Sequence, residues 1–119
     1  MSGPMTPLAR ALGLCARARG LILGVPMICE AMREKAKPRL VLMAQDVSDN
    51  TRKRLQDKCA FYSVPLLILP LDTATLAHTV GKSSGLGAVA VSDENFCRLI
   101  TDAFAKETAV AAHTASEQE

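Results

Sequence analysis

The sequence contains no tryptophan, one tyrosine and three phenylalanines among its 119 residues. Because 49% of the residues are hydrophobic but only 3% are aromatic, the core must be built from aliphatic side chains. A surface that stacks many bases in succession on aromatic rings is not expected from such a composition. At this length the chain is large enough to bury an independent core as one domain.

Long apolar runs are also missing. No stretch approaches the roughly 20 apolar residues that a membrane-spanning helix needs, and no basic segment followed by an apolar run opens the chain. We therefore expect a cytoplasmic, soluble protein that is neither exported nor bound to a membrane.

Cysteines are few and scattered, and none belongs to a CxxC pair or lies near a histidine at metal-binding spacing. We interpret all four as reduced core residues and expect neither a metal nor another cofactor. The four are Cys15, Cys29, Cys59 and Cys97.

Catalytic groups are equally sparse. The two histidines, His78 and His113, show no spacing typical of a nucleophile and its base. Gly81 to Ser83 resembles the end of a phosphate-binding P-loop, but Leu76 occupies the position of that motif's first glycine, and the predicted helix precedes the loop instead of following it. Nothing in the sequence indicates an enzyme.

The net charge is only +2, but the basic residues are clustered. Such clusters attract phosphate groups, although a solvated basic surface has the same composition. The first cluster is Arg17, Arg19, Arg33, Lys35, Lys37 and Arg39, and the second is Arg52, Lys53, Arg54 and Lys58.

The chain is organised around the stretch from Arg39 to Tyr62. An apolar run over 40–44 predicts a buried strand, and Ser48 is a candidate cap for the helix that follows. The positive helix end would then lie beside the carboxyl end of the strand, where ligands usually bind in α/β sheets. On this helix, the residues predicted by their spacing to face the core are Thr51, Leu55, Cys59 and Tyr62.

Helices and short apolar strands alternate along the chain, a pattern that predicts a three-layer α/β/α sandwich. We expect one domain over residues 1–104 and a frayed or disordered tail over 105–119. The predicted strands are 21–23, 40–44, 66–69 and 88–91. Helices are predicted near 7–18, from 24 onward, from 48 to about 62, from 72 or 73 to Gly81, and from 92 onward, with Phe96, Leu99, Ile100, Ala103 and Phe104 inward.

Several segments resemble one known family. LGLCARARGLILG, KPRLVLMAQDVSDNTRKRLQDKCAFYSVPL, LAHTVGK and AVAVSDENF are similar to the bacterial branch of the ribosomal protein 7Ae family of kink-turn RNA binders, over residues 10–102. The resemblance implies a four-stranded mixed sheet. It also implies RNA binding by three neighbouring elements, which correspond here to 24–30, 45–50 and 82–86.

The candidate RNA-binding residues lie within these three elements or beside them. They comprise a glycine that permits close backbone approach, polar groups after the central strand, and residues of a basic loop. Such polar groups suit a single-stranded loop or bulge better than an A-form duplex. If Arg17, Arg19, Lys37, Lys53 and Lys82 flank the surface, they add sequence-independent affinity. The candidates are Gly24, Val25, Gln45, Asp46, Asn50, Lys53, Lys82, Ser83, Gly85 and Leu86.

The second helix departs from the kink-turn binders that the sequence resembles. Pro26, Met27 and Glu30 occupy the positions of an asparagine, a glutamate and a lysine that read the RNA in that family. Because Glu30 would repel phosphate, we expect an altered or looser RNA preference.

The sequence thus predicts a monomeric RNA-binding protein that is ribosome-associated or acts on structured RNA, such as a kink-turn or a related bulge or loop. Two alternatives stay open: a protein-interaction module on the same fold, or the substrate-recognition subunit of an RNA-modifying complex.

Overall fold

Helices and strands alternate along the whole described chain. A computed structural model describes residues 6–117, with side chains through residue 107. The elements are α1 (Pro7–Arg17), β1 (Leu21–Leu23), α2 (Val25–Met32), β2 (Leu40–Met43), α3 (Asp49–Tyr62), β3 (Leu66–Ile68), α4 (Thr73–Thr79), β4 (Ala88–Val91) and α5 (Glu94–Glu117).

The four strands form one mixed sheet in the order β1-β4-β2-β3, which confirms the predicted sheet. β4 pairs antiparallel with β1 and with β2, whereas β2 and β3 are parallel, with Val41 opposite Leu66. α3 makes the crossover between the two parallel strands. This connection returns the chain across one face of the sheet and leaves the start of α3 beside the end of β2.

Alternating side chains of the two central strands supply two separate cores. Leu40 and Leu42 of β2 pack with α1, α4 and α5 on one face of the sheet. Val41 and Met43 pack with α2 and α3 on the other face. Because every residue of β2 and β4 is buried, both faces are covered, and the predicted three-layer α/β/α sandwich is confirmed.

The third strand is less buried than the sequence indicates. We predicted a buried strand over 66–69, but β3 lies at the edge of the sheet, and the Ile68 side chain is 45% exposed. A short apolar run does not distinguish a central strand from an edge strand, since both can be equally hydrophobic. Pro65 and Pro70 flank this edge and limit its length.

The central helix α3 begins and ends as its sequence predicts. The Ser48 hydroxyl accepts a hydrogen bond from the Thr51 N–H at 3.2 Å, which makes Ser48 the N-cap. Leu55 and Cys59 are buried, while Tyr62 is half-buried at the last turn. The helix stops at Ser63, whose φ of 59° lies in the left-handed region.

The Cys59 thiol lies between α3 and α2 and is 4% exposed. Burial, with a smaller contribution from nearby Cys29, raises the pKa of Cys59 from 9.0 to about 11. Because thiol reagents attack the thiolate, Cys59 should label slowly in the folded protein at pH 8. Cys15 and Cys29 are also buried, and Cys97 is half-buried against the core.

The same pKa shift gives a prediction for stability. In an unfolded chain Cys59 would lose its proton near pH 9, whereas the folded protein would keep it to about pH 11. The thiol's contribution to stability is thus complete below pH 9 and is lost as pH rises towards 11. Cys59→Ala should cost about 1 kcal/mol at pH 7 and reduce this alkaline loss, as measured by urea unfolding. Rapid labelling of Cys59 at pH 8 would contradict the assignment.

The last helix differs from the prediction at one position. Leu99 was predicted to face inward but is 42% exposed, because the buried stripe of α5 passes through Ile100 and Ala103. The structure describes this helix through Glu117, and the expected tail over 105–119 stays a prediction. Glu107 contributes to the packing of this segment, since its carboxylate accepts a hydrogen bond from the Leu8 N–H at 2.8 Å, at the start of α1. The domain boundary at residue 104 stays a prediction.

Candidate functional site

An open groove of about 430 Å³ lies beside the carboxyl end of β2. Three segments distant in sequence form it: the start of α2, the β2–α3 loop and the loop that precedes β4. The first residue of α4 completes the wall. The lining residues are Gly24, Val25, Pro26, Asp46, Val47, Ser48, Thr51, Thr73, Gly85, Leu86 and Gly87.

Gly24 forms the corner where β1 turns into α2. Its φ of 95° would strain any residue with a side chain, so glycine is required by the backbone itself. The Gly24 N–H donates to the Ala88 carbonyl at 3.0 Å, and the Ile28 N–H donates to the Gly24 carbonyl. These bonds fix the first turn of α2 against β4, with Val25 and Pro26 facing the groove.

The opposite wall is the first turn of α3. Ser48 and Thr51 line the groove, and their hydroxyls are hydrogen-bonded at 3.1 Å. Arg52 follows, and its guanidinium donates to the Gln45 carbonyl at 3.1 Å. The positive end of the helix and a positive side chain therefore lie together at the β2–α3 loop.

The loop before β4 is anchored at both ends and exposed between them. Gly81, with a φ of 83°, ends α4, and the Lys82 N–H donates to the Ala77 carbonyl at 2.8 Å. At the other end, the Leu86 N–H donates to the Thr73 carbonyl, and the Gly87 carbonyl accepts from the Ala44 N–H. Residues 82–85 are exposed, so their backbone and the Lys82 ammonium are accessible to a ligand.

Two hydrogen bonds join the β2–α3 loop to the first residue of α4 at the groove. The Asp46 carboxylate accepts from the Thr73 N–H at 2.7 Å and from the Thr73 hydroxyl at 3.4 Å. Asp72 is the N-cap of α4, and the hydrogen bond from the Thr75 N–H lowers the pKa of the Asp72 carboxyl. Asp46 thus positions the start of α4 relative to the β2–α3 loop.

The ten candidate residues divide into two groups. Gly24, Val25, Asp46, Gly85 and Leu86 line the groove. Leu86 is only 7% exposed, so it forms part of the wall. The other five are exposed but lie outside the lining: Gln45, Asn50, Lys53, Lys82 and Ser83.

Two observations modify the predicted basic surroundings. The Lys53 ammonium is 3.3 Å from the Asp57 carboxylate, which partly neutralises it. Lys37 is not near the groove, because its ammonium lies over the Tyr62 ring, 5.3 Å from the ring centre, at the other end of α3. Arg52 belongs to the second basic cluster found in the sequence, and its guanidinium lies against the β2–α3 loop.

Thr73 was predicted only as a possible start of a helix, yet it lines the groove and bonds to Asp46. Thr51 and Gly87 also line the groove without having been singled out as site residues. The sequence gives only a weak indication that these three residues belong to a site, since each is a small residue in a loop or at the start of a helix.

The fold and groove together define a small α/β/α sandwich with a ligand surface at one end of its sheet. The chain belongs to the ribosomal protein L7Ae/L30e/S12e/Gadd45 family, whose model matches residues 7–100. This confirms the family resemblance found in the sequence.

Relatives and solved structures agree with this membership. The chain is 38% identical over 85 residues to the RNA-binding protein YlxQ of Bacillus subtilis (strain 168), which covers 71% of this chain and 82% of the relative. It is 39% identical over 72 residues to the RNA-binding protein YlxQ of Enterococcus faecium, covering 60% of this chain and 67% of the relative.

Among solved structures, a protein of unknown function from Bacillus halodurans C superposes with a TM-score of 0.73 and 29% identity, over 85% of this chain and 98% of that protein. The Giardia lamblia 15.5kD RNA binding protein shares the fold, with a TM-score of 0.67 and 16% identity over 87% of this chain and 86% of that protein.

Within residues 6–117, no helix is long and apolar enough to cross a bilayer.

Proposed function

We propose that this protein binds RNA in the groove beside β2. The observation that carries the proposal is the convergence of the first turns of α2 and α3 on one open groove, with the Arg52 guanidinium against the adjoining β2–α3 loop. Helix N-termini present backbone N–H groups and positive potential, which suit a phosphate group. The proposal is supported by the two bacterial relatives that are named as RNA-binding proteins.

The shape and chemistry of the groove favour a protruding part of a folded RNA. A volume of about 430 Å³ suits an unpaired nucleotide in a loop or bulge rather than the side of a duplex. Gly85 and Gly87 let the RNA backbone approach the protein closely, while Ser48, Thr51 and Thr73 supply hydroxyl groups. We infer a structured, ribosome-associated RNA, bound by a monomer in the cytoplasm.

Recovery of the bound RNA tests this function. The protein is crosslinked to RNA in living cells with ultraviolet light, and the attached fragments are sequenced. We expect enrichment of a few structured regions, with ribosomal RNA among them. Recovery of RNA at the level of a protein that does not bind RNA would contradict the proposal.

The exposed face of α2 gives a prediction about RNA choice. Pro26, Met27 and Glu30 are all exposed, and the Met27 side chain is 60% exposed. Because Glu30 adds a negative charge where the related kink-turn binders carry a lysine, Glu30→Lys should strengthen binding to a standard kink-turn by about fivefold or more. Fluorescence anisotropy with a labelled kink-turn RNA measures this change.

Asp102→Lys is the matched control for Glu30→Lys, because it makes the same change in net charge on α5, away from the groove. It should alter the affinity less than Glu30→Lys does. Tight binding of the kink-turn by the unmodified protein, with no gain from Glu30→Lys, would show that α2 does not meet the RNA in this way.

One observation favours a second function. Pro26 and Met27 present exposed apolar surface at the edge of the groove, which is chemistry that also suits a protein partner. A protein-interaction module is therefore the alternative. It is favoured if the crosslinking experiment recovers no specific RNA.

A further inference from the structure

The last turn of α3 carries the most exposed large apolar side chain among the described residues. Phe61 is 79% exposed, and its ring meets Tyr62 edge to face, with ring centres 4.9 Å apart and an interplanar angle of 89°. Lys37 lies over the Tyr62 ring at 5.3 Å. Two of the four aromatic residues of the chain therefore lie together at one exposed site.

Two cations lie beside these rings. Arg54, Lys58 and Phe61 follow one another at helical spacing along α3, and together with Asp57 and Tyr62 they line a shallow depression of about 480 Å³. Among the side chains of residues 6–107, neither Arg54 nor Lys58 forms an ion pair, whereas Asp57 is paired with Lys53. We name Lys37, Arg54, Lys58, Phe61 and Tyr62 the Phe61 patch.

We propose that the Phe61 patch is a second RNA contact, which binds a single-stranded segment that flanks the RNA in the groove. One base would stack on the exposed Phe61 ring, and Arg54 and Lys58 would meet the phosphates. The inference rests on the proposed function, since it assigns a further part of the same RNA to a new surface.

Geometry gives the strand a continuous route. The groove lies at the first turn of α3, and the Phe61 patch lies at its last turn. The helix has 14 residues and is therefore roughly 20 Å long. A strand that leaves the groove passes Arg54 and then Lys58 before it reaches Phe61.

The charges favour RNA over a protein partner. A protein that covered Phe61 would also have to desolvate Arg54 and Lys58, which is costly unless it supplies paired carboxylates. An exposed ring beside unpaired cations is the usual chemistry of single-stranded nucleic-acid binding. The low aromatic content of the chain limits stacking to one base or a few. This agrees with the expectation that the protein has no surface on which many bases stack in succession.

The test uses a stem–loop RNA with 4-thiouridine in its loop and in a single-stranded flank, both for crosslinking to the full chain and, with a fluorescent label, for anisotropy. We expect crosslinks at Phe61 or Tyr62 in addition to those at the groove. Phe61→Ala should weaken binding by at least about fivefold, and Phe61→Trp should preserve it. The control is Leu14→Ala, which removes another exposed apolar side chain, 49% exposed, and should leave affinity unchanged.

Each result separates the inference from the proposed function. Crosslinks at the groove together with unchanged affinity of Phe61→Ala would overturn the inference and leave RNA binding by the groove intact. The inference would also be overturned if Phe61→Ala changed the self-association of the protein, measured by sedimentation, but left its RNA affinity unchanged. Absence of RNA binding by the unmodified protein would overturn both.

Discussion

Replacing Arg52, Lys53 and Lys82 together with alanine is expected to weaken RNA binding on the order of tenfold or more at physiological salt. Arg52 lies in the first turn of α3, with its guanidinium against the β2–α3 loop, and Lys82 begins the exposed loop before β4, so both can reach a phosphate near the groove. Each phosphate contact that is lost removes counterion release, and the slope of log affinity against log salt should flatten by roughly 0.7 to 0.9 per contact.

Of the three residues, Lys53 should contribute least, because its ammonium is already 3.3 Å from Asp57. Thermal stability should change little, since Lys53 and Lys82 are exposed and Arg52 is half-buried with one hydrogen bond. Anisotropy titrations over a range of salt concentrations measure both affinity and slope.

The matched control removes three positive charges from the α1–α5 side: Arg10, Arg98 and Lys106. If RNA binds at the groove, this triple variant should lose much less affinity than the groove variant. Equal losses of affinity in the two variants would mean that RNA binding depends only on the net charge of the protein. An unchanged affinity and slope in the groove variant would exclude this surface.

Leu55→Ala is expected to produce the largest loss of stability, about 2 to 5 kcal/mol. Leu55 is completely buried between α3 and the sheet, where it packs with Ile28, Met32 and Val41. Removing its side chain leaves a cavity below the helix whose first turn forms one wall of the groove. The free energy of unfolding in urea measures the effect.

Leu14→Ala again provides the control, because Leu14 is 49% exposed on α1. Its replacement should change stability by no more than about 0.5 kcal/mol. RNA binding by Leu55→Ala should persist under conditions in which the variant remains folded. A loss of less than about 1 kcal/mol in Leu55→Ala would contradict the packing described for α3.

The central elements could be predicted because local signals agree with tertiary burial. The apolar run at 40–44 is a buried strand, and Ser48 caps the helix that follows, since both signals depend on a few neighbouring residues. Leu99 and Ile68 were placed wrongly because exposure depends on which neighbour covers each side chain. A sequence pattern gives the face of a helix only within about one residue, and it does not identify the edge of a sheet.

The candidate site, like the fold, could be predicted from the sequence only in part. The family resemblance located the three segments that form the groove, whereas the bond between Asp46 and Thr73 joins residues 27 apart in sequence and leaves no local pattern. Lys37 was named only as a residue that could flank this surface, and the path of the chain after α2 carries it instead to the other end of α3. Which of the ten candidate residues contact RNA stays a prediction.

The most direct test of RNA binding at the groove is a titration of the ¹⁵N-labelled protein with the RNA recovered by crosslinking, followed by amide chemical shifts. If RNA binds at the groove, the largest shifts occur at the amides of Gly24, Ser48, Gly85 and Gly87, with small shifts along α1 and the exposed face of α5. Unchanged groove amides at saturating RNA, or shifts confined to the α1–α5 side, would contradict RNA binding at the groove.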